Sequence, residues 1–521
     1  MNLLRAAGSV SALTLVSRIT GLMREQMVSI LFGANALTDA FLVAFRIPNM
    51  LRRLFAEGAF SQAFVPALAA ERAAQGDEAT HRLVDATATV LVWALLGVCV
   101  LGVLGAPLLV WLMGGGLKGE ARLAAIDMTR WMFPYIGCMS LVALSAGILN
   151  TWKRFALPAF TPVLLNVAVI ACGWGLAGPL EARGWPGIYA MAVGVMVGGL
   201  LQLGVQLPAL KRLGMLPRIA LRPAGLRAAW VHAGVRKILA LMAPALLGVG
   251  VAQLSLIINT QIATHIGPGA ATWVSLADRL MEFPIALAGV ALGVVLTPLL
   301  SAAKTNGQGA EFSGLIDWGL RLVLLLGLPC ALAMGLFAEP LVAVLYHYGD
   351  KFSAADVAQT AHAVQGYGIG LLGLLAIKIL APGFFARQDT RTPVRIAVVV
   401  LVFTQLMNAV WVPILGASGL ALSIGLGALL NAVWLLIGLR RAGAYQPAPG
   451  WLGFGLRLLL ATAGMGLLLG ALAWQLDWIG MSKWLRVGWM AGSLAGAGLL
   501  YFGLLWMLRL NLRELMARRA S

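Results

Sequence analysis

The sequence predicts an all-α polytopic membrane protein of about fourteen transmembrane helices. Three observations carry this. The 521 residues are 60% hydrophobic and only 11% charged, and mean hydropathy is +0.88 along the chain, which is too apolar for a soluble enzyme. Windows of about 19 residues give fourteen apolar segments, centred near Ile19, Val43, Val98, Met139, Val169, Val195, Gly250, Val290, Leu325, Leu371, Val402, Gly425, Leu467 and Gly496. Most of the 38 Lys and Arg fall in alternate loops, with only Lys118, Arg122, Arg183, Lys351, Lys483 and Arg486 on the other side. By the positive-inside rule both termini are then cytoplasmic. The net charge of +18 is thus a topology signal, and nucleic-acid binding is not expected.

The first two segments, residues 14–70, set the functional reading. They are apolar at membrane density, yet they carry Arg18, Arg24, Asp39, Arg46, Arg52, Arg53 and Glu57 around a tight turn at residues 33–37. An arginine at the centre of a spanning helix costs about 3 kcal/mol on insertion scales. Several on neighbouring helices therefore point to a hydrated cavity, and a cationic cavity suits an anionic substrate. Arg18 and Arg24 are six apart, about 9 Å of rise and 240° of rotation on a regular helix, so they share a cavity only if Gly21 bends the helix or the cavity is wide. Asp39 and Arg46 lie on one face, as do Arg46 and Arg53. One of Arg52 and Arg53 is expected to face the cavity and the other the cytoplasmic interface.

Farther along, residues 71–82 read as a polar cytoplasmic loop. Turns follow at 114–122, 151–158 and 178–187. Residues 211–237 are rich in basic residues and proline, with a short amphipathic run at 225–235, and read as a linker between two halves, either lying on the anionic inner leaflet or serving as a topology signal and nothing more. The second half opens as a weak echo of the first. Gly267-Pro268-Gly269 turns the chain as Gly33 does, and the next helix carries Asp278, Arg279 and Glu282 at membrane depth. Duplicated halves around a central site are a common transporter plan. The domains read as an N-lobe at 1–210, a basic linker at 211–236, a C-lobe at 237–446, and a Gly-rich, Trp-flanked helix pair with a basic tail at 447–521. Arg18, Arg24 and Arg279 are expected to contact substrate. Asp39, Asp278 and Glu282 are expected chiefly to orient or neutralise them.

Other motifs give little. Gly368-Ile369-Gly370-Leu371-Leu372-Gly373 matches a dinucleotide fingerprint as a string, but it sits inside an apolar span, where close helix packing is the better reading. Five scattered histidines and four cysteines, all four within spans, give no metal spacing and no disulfide framework, so neither metal nor cofactor is expected. No Walker sequence suggests ATP drive. The N-terminal segment carries Arg18 and Arg24 and lacks a small-residue cleavage pattern, so it is expected to be retained.

At the charged segments a family resemblance becomes specific. Ser17-Arg18-Ile19-Thr20-Gly21-Leu22-Met23-Arg24, then Thr38-Asp39-Ala40-Phe41, then the run from Phe45 to Pro66, resembles the MurJ (MviN) family of lipid II flippases. Ala277-Asp278-Arg279-Leu280-Met281-Glu282-Phe283-Pro284 and the run from Phe385 to Pro393 are similar to it too, and the likeness spans nearly the whole chain. It implies membership of the multidrug/oligosaccharidyl-lipid/polysaccharide exporter superfamily, with two lobes around a central cationic cavity and a groove for the lipid tail by the last two helices. It also implies a flippase of the bacterial cytoplasmic membrane, not an enzyme. The substrate would be lipid II, an undecaprenyl diphosphate bearing a disaccharide pentapeptide, and anionic membrane lipids and the cell-wall synthesis machinery are possible partners. By resemblance Arg18, Arg24 and Arg279 would engage the diphosphate, with Asp39 and Arg52 also needed, and Ser17, Asn49, Glu57, Thr272, Asp278 and Glu282 as further candidates. Some relatives have a sodium site with an acidic residue on the seventh helix. Residues 237–266 contain no Asp or Glu, which argues against sodium coupling here. The competing readings are a drug or other polyprenyl-diphosphate exporter of the same superfamily, a membrane enzyme on polyprenyl phosphates, for which no clustered acids or histidines are present, and a non-transporting scaffold.

Overall fold

The computed structural model describes residues 3–53 and 60–510, and among these it is helical with no strand. The chain divides into two units, Met1–Gly269 and Ala270–Ser521. The first holds α1 (Leu3–Leu31), α2 (Ala36–Arg52), α3 (Ser61–Leu104), α4 (Ala106–Gly114), α5 (Gly119–Met132), α6 (Tyr135–Thr151), α7 (Ala156–Glu181), α8 (Tyr189–Gly204), α9 (Leu207–Arg212), α10 (Pro223–Val231) and α11 (Ala233–Ile266). The second holds α12 (Ala270–Thr305), α13 (Gly309–Leu336), α14 (Ala338–Tyr346), α15 (Ala354–Phe385), α16 (Arg391–Leu415), α17 (Ala417–Arg441), α18 (Trp451–Gln475) and α19 (Lys483–Met507).

Among the described residues ten segments are both long and apolar enough to cross a membrane, so the expected count of fourteen is not recovered on that criterion. The four other expected centres fall in α1, α2, α11 and α12. Of these α2, at 17 residues, is shorter than the 18 that such a span requires.

The α1–α2 turn follows from its side chains. Gly33 takes φ +68°, a left-handed conformation that glycine adopts at no steric cost. The Asn35 side chain caps α2 by accepting from the N–H groups of Leu37 and Thr38. Thr38 donates its hydroxyl to Gly33 O at 2.9 Å. The loop expected at residues 71–82 is instead helical. It lies within α3, interrupted only at Gly76, whose φ of +75° breaks the helix without ending it. Polar residues continue the helix there because they can pair across the break: Arg72 donates to Asp77 at 3.0 Å and to Thr151 O at 3.2 Å, and it stacks on the Trp152 ring at 4.1 Å. Within the basic segment, α10 is the amphipathic piece, and the stretch before it lies along α3. There Ala220 N–H donates to Thr89, and the Trp93 indole donates to Ala220 O. α11 packs on α3 and α4 in the same unit.

In the second unit the closest contact is α15 on α17, and glycine is its cause. A Cβ on Gly370 would lie 2.1 Å from Gly425 Cα, and one on Gly373 would lie 2.6 Å from the Ala428 carbonyl carbon. The string that mimics a nucleotide fingerprint is thus a helix-packing surface. The C-terminal pair is held by buried polar groups. Asp317 on α13 is 2% exposed and accepts from Tyr445 Oη, Ala448 N–H, Trp451 Nε1 and Arg321 Nε, all at 3.0 Å or less. This fixes the α17–α18 connection against α13. On α19, buried Arg486 donates to the carbonyls of Trp478 and His347, and Tyr501 donates to Leu325 O on α13.

Candidate substrate-binding site

α1 is regular from Leu3 to Leu31, so Gly21 does not interrupt it. Its role is contact, since a Cβ there would meet Asn166 Nδ2 at 3.6 Å. Arg18 and Arg24 accordingly differ in surroundings. Arg18 is exposed, and no carboxylate partner is found for it among the described residues. Arg24 is held. Its Nη1 donates to Asn166 Oδ1 on α7 at 3.2 Å, its Nη2 lies 3.4 Å from Glu25 Oε1, and its guanidinium sits 5.9 Å from the Phe45 ring centre. Asn166 in turn donates its amide to Ser17 O and to Thr20 Oγ1, each at 3.1 Å. One amide thus reads both the backbone and the cation of α1, fixing Arg24 in a single orientation. Sequence reasoning missed both Asn166 and Glu25. A lone amide in an apolar span is the available signal for the first, but it carries no charge to mark it.

On α2, Asp39 is buried in the first helical turn, where a carboxylate gains from the helix dipole. It accepts from Gly269 N–H at 2.7 Å, so it also anchors the turn that follows α11. Arg46 donates to Thr260 Oγ1 on α11 at 2.7 Å, and Gln261 accepts from Gly115 N–H at 2.7 Å. Polar residues of α11 therefore bind it to the unit at several heights. Asn49 accepts from Arg52 Nε at 3.0 Å and Nη2 at 2.8 Å. Arg53, one step on, is exposed. Asn49 and Arg52 open on a cavity of about 330 Å³ whose other polar walls are Ser61, Asn150, Thr161 and Gln202. Arg52 is the only charged side chain lining it among the described residues. On neighbouring faces of the same helices, Leu51 of α2 and Ile136 and Ser140 of α6 line a second, mostly apolar cavity of about 230 Å³. The last turn of α2 thus contributes to both.

In the second unit, Thr272 is buried near the start of α12. Asp278 and Arg279 follow on the same helix and are half-buried. Arg279 Nη1 is 2.7 Å from Glu282 Oε2, an i,i+3 pair on one helix face. Glu57 lies outside the described residues. Ser17 contributes its carbonyl to Asn166, as above. No cluster of three or more His, Cys, Asp or Glu able to hold a metal is found among the described residues, and the cysteines are free. What the arrangement offers chemically is cations and amides held in apolar helices.

Comparison with known proteins gives the following. The family model described as lipid II flippase MurJ matches residues 28–487. A protein of Burkholderia cenocepacia named lipid II flippase MurJ is 53% identical over 512 residues, 98% of each chain. A solved structure titled lipid II flippase MurJ, inward closed conformation, superposes with a TM-score of 0.78 at 20% identity, covering 98% of this chain and 99% of the other. An inward-facing multidrug resistance MATE family transporter of the MOP superfamily superposes with a TM-score of 0.62 at 16% identity, covering 84% of this chain and 98% of the other. At those identities the two structural matches speak for the fold alone.

Proposed function

Since the chain belongs to the MurJ family of lipid II flippases, we propose that it carries lipid II from the inner to the outer leaflet of the bacterial cytoplasmic membrane. The observation that supports this most is the 53% identity running through 98% of both this chain and a named lipid II flippase, in a multi-pass helical protein. The activity is transport, with no bond made or broken.

Lipid II is too polar in its head group to cross hydrocarbon, and its diphosphate brings about two negative charges that guanidinium forks read well. Arg18, Arg24 and Arg279 are the groups we assign to it, with Asp39, Arg52, Ser17, Asn49, Glu57, Thr272, Asp278 and Glu282 as supporting residues. Arg24 is the best prepared of these, because Asn166 already restrains it and less side-chain entropy is lost on binding. Glu25 and Glu282 neutralise two of the arginines in the unliganded protein, so binding exchanges an intramolecular carboxylate for a diphosphate oxygen. Alternating access then moves the head group while the prenyl chain stays in lipid. With the potential negative inside, each net negative charge exported gains about 2.3 kcal/mol per 100 mV. Where the arginines neutralise the substrate, the gain falls on the return stroke, as the emptied cationic site is drawn toward the cytoplasm. Both termini are cytoplasmic in this reading, from the skew of Lys and Arg among the loops.

The test is depletion of the protein in cells followed by measurement of lipid II on each leaflet. Lipid II trapped inside, restored to the outer face by the wild-type chain and not by Arg24→Ala at equal membrane abundance, is the expected result. Normal export by the Arg24→Ala chain removes Arg24 from the site, and no trapping on depletion sinks the transport reading. Transport into proteoliposomes with the potential clamped tests the electrical step, and indifference to the potential refutes it.

A further inference from the structure

Three membrane spans of the first unit have an end at one further cavity, of about 330 Å³. Gly119–Thr151 and Tyr189–Arg212 finish beside it, and Ala156–Glu181 begins in its wall. It therefore lies where the apolar lengths stop, at the level of lipid head groups. Lys153, Arg154 and Arg212 line it. All three are exposed, and none makes an ion pair or side-chain hydrogen bond among the described residues. No Asp, Glu or His lines the cavity among the described residues. Like charges gathered without a counter-charge repel one another, and an anion brought among them reverses the sign of that interaction. α7 adds to the same sign, because it starts in the cavity wall without a side-chain cap, and a helix N-terminus carries partial positive charge.

The backbone gives independent weight to the charge at Lys153. Lys153 N–H donates to Asn150 O at 2.9 Å and Arg154 N–H to Leu149 O at 2.8 Å, which closes the C-terminus of α6. Glycine is the common residue at such a position, since it must take a left-handed conformation, and Lys153 has φ +59°. A lysine there is strained where glycine would not be, so the ammonium is kept against the preference of the backbone. The remaining wall is apolar, with Leu149, Phe155 and Leu213 prominent in it. Inorganic phosphate has no use for that surface, whereas the first carbons of a lipid chain do.

We propose that this cavity binds the head of a lipid phosphomonoester. Such a head carries about 1.5 to 2 negative charges at pH 7 and three strong acceptor oxygens, which suit three cations, while the apolar wall takes the start of the chain. A phosphodiester head such as phosphatidylglycerol has a single charge and fewer free oxygens. Phosphatidic acid and a polyprenyl monophosphate share the required chemistry.

The experiment uses the purified full-length chain in one detergent, with retained lipid measured by native mass spectrometry. Wild type should hold phosphatidic acid about fivefold more tightly than phosphatidylglycerol, the factor expected for one charge at a membrane surface. Lys153→Gly, Arg154→Gln and Arg212→Gln should each weaken phosphatidic acid binding by about fivefold. Lys153→Gly also removes the left-handed lysine, so its Tm should equal or exceed that of wild type, and its lost affinity then reports lost charge and not lost fold. If either Gln variant fails to fold, Lys153→Gly decides. Arg24→Ala should leave phosphatidic acid binding unchanged, which separates this cavity from the transport site. Competition by undecaprenyl phosphate tells which chain follows the head: displacement of phosphatidic acid at a lower concentration than its own assigns the site to polyprenyl lipids, and at a higher one to glycerolipids. Phosphatidylglycerol held as tightly as phosphatidic acid, unchanged affinity in Lys153→Gly, loss of affinity in Arg24→Ala, or displacement of the lipid by an equal concentration of inorganic phosphate overturns the proposal. None of these outcomes depends on whether the protein transports lipid II.

Discussion

Replacing Gly370 by Ala tests the packing of the second unit where its margin is smallest. In isolation the change should stabilise a helix by about 1 kcal/mol, because glycine is a poor helix former. Here the added carbon would lie 2.1 Å from Gly425 Cα, with the Gly425 carbonyl at 2.7 Å, whereas ordinary contact begins near 3.4 Å. Both clashing groups are backbone, so no rotamer can relieve them, and α15 and α17 must part by more than an ångström. Overpacking of this kind costs about 1–3 kcal/mol, and parting the helices also opens gaps at neighbouring contacts, so the net sign is destabilising. Gly488 on α19 is the control, since a Cβ there meets nothing within 4 Å. Thermal unfolding of the purified protein in one detergent should give a lower Tm for Gly370→Ala than for wild type, and an equal or higher Tm for Gly488→Ala. Equal melting of the two variants would refute the close-approach account of α15 and α17.

Four further outcomes follow. Asn166→Ala frees Arg24 without removing it, and the loss of a hydrogen bond to a charged group, about 1.5–3 kcal/mol, should weaken lipid II binding by at least about tenfold. The comparison is binding of lipid II by purified wild type and variant, and unchanged affinity would mean that Asn166 does not position Arg24. Asp317→Ala leaves Tyr445, Ala448, Trp451 and Arg321 without their shared acceptor and should cost about 3–5 kcal/mol, seen as a lower Tm and faster tryptic cleavage after Arg441. Outside the spans, two groups give opposite pH dependence. Hydrogen bonds from Thr392 hold the Asp389 carboxyl below its ordinary 3.8, so its contribution is complete above that value and is lost as pH falls through the lowered one. Burial, with the Asp317 carboxylate adding to it, raises the Tyr445 phenol above its ordinary 10.0, so its contribution is complete below pH 10 and is lost in stronger base. Asp389→Asn should flatten the acid limb of a Tm-against-pH curve, slightly because the group is on the surface, and Tyr445→Phe should flatten the alkaline limb.

The helical membrane fold was legible because hydropathy acts over whole segments: each of the fourteen expected centres falls in a helix. Residues 71–82 misled because polarity was taken to mean a loop. A helix can remain polar outside the apolar layer, and only Gly76 departs from helical geometry there. The charged positions on α1, α2 and α12 were visible as anomalies of composition. Their partners were not, since neither Asn166, 142 residues from Arg24, nor Thr260, 214 residues from Arg46, carries a charge that would mark it. The orientation of Arg24 depends on which residue of α7 comes level with α1, and helix-to-helix register is a tertiary property that periodicity within one helix does not contain. Likewise the glycine string was readable as a packing surface, but its opposite number at Gly425 was not.

The last turn of α2 presents Arg52 and Asn49 to a polar cavity and Leu51 to a mostly apolar one. Residues on one helical turn share a backbone, so a ligand in either cavity that shifts this turn also shifts the surface presented to the other. By thermodynamic reciprocity any such influence runs equally both ways.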